Sequence, residues 1–293
     1  MAFAWSGLAL GVILWGLGDS PIEAQQPRPS SGREAKPAPA PAAARRPWPV
    51  RLKDGQPDVQ GVWDPAGGAC GGTNLEPLKG AMNNPNRTSP GCIIDPPDGL
   101  IPYLPWARAR RDEVRERHLT PNAAQVDTRT RGWPDGLPRQ NYYHAFQILQ
   151  PPGAVVILYE VQHEFRYIPL DNRPHPAGVA LWMGSSRGRW EGTTLVVDVA
   201  NISDRVRMSI VGDFASADIK ITERWKFVDA DNLEQTTTLT DPNVFTRPWT
   251  VARKIKREKD PAFEIMEYSG VEGDRDHKLM VDIPENVQER QQK

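Results

Sequence analysis

Two charged residues stand where strand alternation calls for apolar ones. Over Ala217–Val228 one parity reads Asp218, Lys220, Thr222, Arg224, Lys226, and the other reads Ile219, Ile221, Glu223, Trp225, Phe227. Successive side chains of a strand point to opposite faces, so Glu223 is expected on the inward, apolar face. Trp249–Arg257 repeats the pattern: Thr250, Lys254 and Lys256 face out, while Arg253 shares the inner face with Trp249, Val251 and Ile255. A lone buried charge is costly, so the expectation is a Glu223–Arg253 ion pair inside the domain. Such a pair is either structural or the polar end of an apolar cavity. In a cavity it would orient a ligand, or, with a shifted carboxylate pKa, move a proton. Trp225 and Trp249 flank the two charges on the same faces and are candidate ligand-binding walls. Tyr159, Glu160 and His163 lie at a turn; Tyr159 and His163 are candidate rim contacts, and Glu223 and His163 are the candidate catalytic groups. A turn histidine is equally well explained by solvation, and His175, between two prolines, reads as a loop residue.

Other chemistries leave no mark. The five histidines are dispersed without HxH or HxxxH spacing, and no GxSxG, phosphate-binding loop or dinucleotide fingerprint occurs. No metal and no cofactor is therefore expected.

The elements that carry these residues are mostly strands. Short runs with period two follow one another from Tyr143: Ala145–Leu149, the continuous apolar run Ala154–Glu160, Glu164–Leu170, and Thr194–Val199 after a Gly-rich approach and a Trp-Glu-Gly turn. In Glu164–Leu170, Phe165 and Tyr167 share one face and Glu164 and Arg166 the other. Two hairpins follow, Ala217–Val228 with Leu233–Thr240 and Trp249–Arg257 with Phe263–Tyr268. Gly61-Val62-Trp63 resembles the opening of many calycin-type barrels, where the Trp closes one end. One helix is expected, Trp106–Leu119, with Pro105 in its first turn and few apolar positions (Trp106, Ala109, Val114), hence a surface helix. His118 at its end suits the helix dipole. The fold class is mainly β, an antiparallel meander closed into a calycin-like barrel with one surface helix and long N-terminal loops; a two-sheet sandwich is the alternative.

Residues 1–24 read as a secretory signal with the apolar core Leu8–Leu17, too short to span a bilayer, and a cleavage site at Ala24/Gln25. Residues 25–47 form a Pro/Ala/Arg tract that reads as a disordered linker, 48–285 as a single β-barrel-like domain and 286–293 as a frayed tail. A periplasmic or secreted location follows, with no stable membrane span after signal cleavage. The formal net charge is −1. Losing Asp19 and Glu23 with the signal leaves +1, of which the linker's five basic residues and one acid hold +4, so the domain is near −3 and offers no basic surface for nucleic acid. The two cysteines, Cys70 and Cys92, read as one disulfide closing a loop of low apolar content, the competing reading being a Cys nucleophile. Asn86-Arg87-Thr88 and Asn201-Ile202-Ser203 fit the glycosylation triplet.

Gly188-Arg189-Trp190-Glu191-Gly192-Thr193-Thr194-Leu195-Val196-Val197-Asp198 resembles the GRWEGDTLVVDT hallmark of a family of exported bacterial proteins of uncharacterised activity, frequent in Acidobacteria and some Proteobacteria. The likeness extends to DGLIPYLPWARARR (98–111), FQILQPPGAVVILYE (146–160), Arg173-Pro174-His175-Pro176, Thr222-Glu223-Arg224, Asp241-Pro242 and TRPWTV (246–251), and so covers most of residues 57–280. It implies export but no reaction. The chain departs from the family at Gly184-Ser185-Ser186, where the family reads Gly-His-Ser, and lacks a family histidine near Ala215–Ala217. Gly132 and Gly270 occupy two family cysteine positions, which implies that those cysteines pair in relatives and that Cys70–Cys92 substitutes here. If the two histidines are catalytic in relatives, this chain is altered.

The leading expectation is an exported β-barrel holding a small, largely apolar or aromatic molecule, oriented by Glu223 and Arg253 with Tyr159 and His163 at the rim. The alternatives are an acid/base enzyme (isomerase, hydratase or hydrolase) on the same scaffold, and a ligand-free structural protein of the envelope. Oligomeric state stays open.

Overall fold

A computed structural model describes residues 48–65, 74–79, 88–117, 127–129, 132–142 and 144–266. Residues 1–47, Cys70, the 86–87 part of the first glycosylation triplet, His118, Tyr268 and the 286–293 tail lie outside them.

The architecture is mainly β. In chain order the elements are β1 (Gly61–Asp64), β2 (Leu78–Lys79), β3 (Thr88–Ser89), β4 (Ile93–Asp95), α1 (Pro105–Glu116), β5 (Phe146–Leu149), β6 (Ala154–Tyr159), β7 (Phe165–Pro169), β8 (Ser185–Glu191), β9 (Thr194–Ala200), β10 (Lys220–Phe227), β11 (Asn232–Thr240) and β12 (Trp249–Arg257). Among the described residues ten strands form one antiparallel sheet, nine in the order β7-β6-β5-β1-β12-β11-β10-β9-β8 and β4 paired to β12 beside that path. This is a meander in which β1, the first strand among the described residues, bridges β12 and β5. The sheet curls until it nearly closes into a barrel. Its two margins, β7 and β8, meet through side chains: Arg166 Nε on β7 donates to Ser186 Oγ on β8 at 2.8 Å. Gly188 on β8 permits this approach, because a Cβ there would come within 2.6 Å of Ile168 Cγ2 and 2.8 Å of Leu170 Cδ2. β8 is itself a strand that the sequence reading took for a Gly-rich approach; its ladder with β9 is continuous from Ser185↔Ala200 to Glu191↔Thr194.

Inward parity sorts the barrel into cross-strand rows. Ile221, Leu239 and Trp249 form one row, Glu223, Thr237 and Val251 the next, then Trp225, Gln235 and Arg253, then Phe227, Leu233 and Ile255. Every one of these side chains is buried. Trp63 on β1 is fully buried, packs edge-on against Phe227 at 5.3 Å and lies under the Arg257 guanidinium at 4.4 Å. β12 is flanked by β11 on one side and by β1 and β4 on the other. That leaves no free edge for the expected strand Phe263–Tyr268, and Phe263–Met266 carries no strand.

Helix α1 begins on Pro105, as expected, but docks differently from the sequence reading. Its buried face is Ala107, Arg111 and Val114, while Trp106 is half exposed and Ala109 exposed. The difference is electrostatic. Glu76, 4% exposed, accepts contacts from Arg108 (3.1 Å), Arg111 (2.8 Å) and Arg115 (3.1 Å), so the helix is held by a basic stripe on one buried carboxylate. Arg111 also faces Asp213 at 3.8 Å. Burial, reinforced by Glu76, raises the Asp213 pKa against the opposing pull of Arg111, and Ser209 Oγ and Tyr103 Oη donate to its carboxylate. Among the described residues no helix is long and apolar enough to cross a membrane.

Candidate functional site

The inward assignment of Glu223 and Arg253 holds, but the pairing does not. Glu223 is 0% exposed, and its ion pair is with Arg166 on β7, whose Nη1 donates to Oε2 at 2.6 Å. Trp225 Nε1 donates to the same oxygen at 2.9 Å, and Asn141 Nδ2 donates to Oε1 at 2.8 Å. Asn141 belongs to a 3₁₀ turn, Arg139–Asn141, that carries buried Gln140, Asn141 and Tyr142 against the barrel interior. Its Oδ1 accepts from Tyr159 Oη at 2.7 Å. The result is one continuous chain, Tyr159–Asn141–Glu223–Arg166–Ser186, crossing from β6 to β8. Burial pushes the Tyr159 hydroxyl up to about 12, so it stays protonated and donates. Burial works against the Arg166 cation, but the Glu223 charge prevails and raises its pKa. Both carboxylate oxygens are therefore engaged by protein donors, an arrangement that fixes position rather than one that exchanges protons with a substrate.

Arg166 escaped the sequence reading because its own strand points the wrong way by hydropathy. On β7 the outward face carries Phe165, 66% exposed, and Tyr167, 51% exposed, while Arg166 is buried. Aromatic residues ordinarily mark the core face; here the need to compensate Glu223 decides instead.

Arg253 is 4% exposed and stands in the next row, opposite Gln235. Its Nη2 donates to Gln235 Oε1, and its guanidinium carbon lies 5.7 Å from the centre of the Tyr142 ring. Burial lowers its pKa to about 10, against the pull of Tyr142, Tyr159 and Glu223, so it remains cationic at neutral pH. No ion pair joins it to any described carboxylate. Arg253 Nη1, Gln235 Nε2 and Tyr142 Oη are all buried without a hydrogen-bond partner among the described residues. Gln235 was legible in principle, since it alternates with Leu233 and Leu239 on the inner face of β11.

Of the remaining candidates, Trp225 belongs to the Glu223 cluster and packs edge-on against Phe146 at 5.6 Å. Trp249 is fully buried two rows from Arg253, against Phe245 at 5.5 Å. His163 is exposed at the β6–β7 turn with a positive φ of 54°, and Glu160 there contacts His144 Nδ1 at 3.3 Å. His175 Nδ1 lies 3.1 Å from Ser185 Oγ on the outer side of β8. Cys92 is 5% exposed beside β12, where its carbonyl accepts from Ala252 N; its expected partner, Cys70, lies outside the described residues. Among the described residues no three His, Cys, Asp or Glu converge as a metal site.

Compared with protein-family models, curated proteins and solved structures, the chain matches none.

Proposed function

We propose that this protein is an exported β-barrel that binds a small molecule in its interior, with the row of Arg253, Gln235 and Tyr142 as the polar contact and the Glu223 cluster as its rigid support. The single observation that carries this reading is the buried Arg253, whose Nη1 has no acceptor among the described residues. Buried polar groups are almost always hydrogen-bonded, and an exception calls for an explanation; for a cation without a counter-charge, a bound anion supplies both the acceptor and the charge. The barrel is a suitable frame, since small-molecule sites are commonly apolar cavities with a few convergent polar groups. Export rests on the leader-like residues 1–24 and on the family likeness, and the Cys70–Cys92 disulfide on the even cysteine count in such a compartment.

Native mass spectrometry of the protein recovered from its own host tests the reading. The expected spectrum contains a non-covalent small-molecule adduct that is lost in Arg253→Met. A bare polypeptide mass in protein never exposed to denaturant counts against interior binding.

A further inference from the structure

We propose that the ligand is a monocarboxylate with an apolar body, its carboxylate seated on Arg253, Gln235 and Tyr142. This rests on the interior-binding reading above and names the chemistry it serves.

The charge count comes first. Among the described residues, the charges of the Glu223 and Arg253 rows and of Arg166 on β7 do not balance: Arg166 and Glu223 neutralise each other, and Arg253 is left over. A buried cation without a counter-charge is among the costliest arrangements a fold can hold. One negative charge restores neutrality, whereas a phosphate dianion would leave the interior negative again.

The polarity of the unpaired atoms agrees. Arg253 Nη1 and Gln235 Nε2 can only donate, and Tyr142 Oη can donate as well as accept. Gln235 cannot turn its amide to change this, because its Oε1 is already the acceptor for Arg253 Nη2. Burial raises the Tyr142 pKa well beyond the usual phenol value, so its hydroxyl keeps its proton. Two nitrogens that can only donate, with a hydroxyl that can join them as a donor, suit a group that only accepts and carries charge. A carboxylate fits, with two oxygens to share among a guanidinium nitrogen, an amide and a phenol. An amine would repel, and an alcohol would bring a proton of its own.

The surroundings specify the remainder. Trp225, Phe227, Leu233, Val251 and Ile255, each 0–1% exposed, occupy the same and adjoining inward positions, so a body attached to the carboxylate meets hydrocarbon once these packed side chains move apart to admit it.

The test uses matched probes on the full exported chain. Octanoate is compared with 1-octanol, and phenylacetate with 2-phenylethanol, by calorimetry and by thermal midpoint. At least one acid is expected to bind about tenfold or more tightly than its alcohol, the value of one charge-assisted contact. Gln235→Glu places a carboxylate beside Arg253 from within the protein. It is expected to raise the midpoint without ligand and to weaken acid binding about tenfold or more. Arg253→Met provides a second route, and there acid and alcohol are expected to bind alike. Acid and alcohol binding equally to the unaltered protein, undiminished by Gln235→Glu, would overturn the carboxylate while leaving interior binding in place. No binding by any probe, with a Gln235→Glu midpoint no higher than that of the unaltered protein, would overturn both. That result would mean ordered water alone satisfies the three donors.

Discussion

Replacing Glu223 by Gln changes no atom count and removes one charge from the centre of the barrel. The carboxylate takes Asn141 Nδ2 on one oxygen and both Arg166 Nη1 and Trp225 Nε1 on the other. A glutamine has one acceptor oxygen, so its NH₂ must face either Asn141 or the Arg166–Trp225 pair. Asn141 cannot turn over to accommodate it without losing the Tyr159 hydroxyl from its Oδ1. In either orientation the variant leaves a donor against a donor and strips Arg166, in a site 2% exposed, of its counter-charge. At an effective dielectric near 20 the lost attraction is about 4 kcal/mol for charges about 4 Å apart. Breaking one side of a buried pair measures at about 3–5 kcal/mol in other proteins. The expected loss for Glu223→Gln is thus about 3–5 kcal/mol by urea denaturation, or roughly 10 °C in thermal midpoint for a domain of this size. Arg166→Met should cost a similar amount, and the double variant distinctly less than the sum, with a coupling of about 2 kcal/mol or more. A loss below about 1 kcal/mol for Glu223→Gln, or additivity within about 0.5 kcal/mol, would refute the closed network and return Glu223 to the list of catalytic candidates.

Two further outcomes follow from the same geometry. Gly188→Ala places a Cβ against Ile168 and Leu170 at the β7–β8 seam, and the overpacking is expected to cost about 1–3 kcal/mol and to raise amide exchange in β7 before β10–β12; uniform exchange would mean the margins are not in register contact. Partial burial lowers the His175 pKa below 6.5, with Arg187 and Lys220 adding to the effect, so the unfolded chain takes up the proton first as pH falls. The folded state then binds fewer protons, and its stability drops on going from about pH 7.5 to about pH 5 but not above that window. His175→Asn should lose less stability than the unaltered chain over this interval, and an equal loss would show that other groups set the acid limb.

Much of the fold could be read from parity alone. The strands β5, β6, β7, β9, β10, β11 and β12 fall within three residues of their expected ends, because most alternate between a solvated and an apolar face and β6 is a continuous apolar run bounded by turns. β8 carries little hydropathic contrast over Ser185, Ser186, Arg187, Gly188 and Arg189; Ser186 and Gly188 on its inner face are small, so that β7 can close over them. Parity also placed Glu223 and Arg253 inside, yet it could not say which charge meets which. That choice depends on the seam. Arg166 reaches Glu223 only once the sheet has curled far enough to bring β7 beside β8, a property of the whole barrel that no single strand encodes. Asn141 was invisible for a related reason, since its 3₁₀ turn has no periodicity and becomes part of the site only by packing against the barrel.

The two buried arginines then separate by what the architecture asks of them. Arg166 sits at the margin of the sheet, where backbone ladder bonds to β8 are lacking, and its contacts with Ser186 and Glu223 tie that margin to β8 and β10. Closure supplies a structural reason for its charge. Arg253 sits on β12, already paired residue for residue with β11 from Asn232↔Lys256 to Leu239↔Trp249, and the sheet needs no side-chain tie there. By the ordinary physics of cores, an unbranched apolar side chain of similar length at that position should be neutral or stabilising. Arg253→Met is therefore expected to equal or exceed the unaltered chain in stability without ligand, whereas Arg166→Met falls below it. If Arg253→Met instead destabilises as much as Arg166→Met, then Arg253 is holding the barrel together, and its unpaired donors have no bearing on what the protein binds.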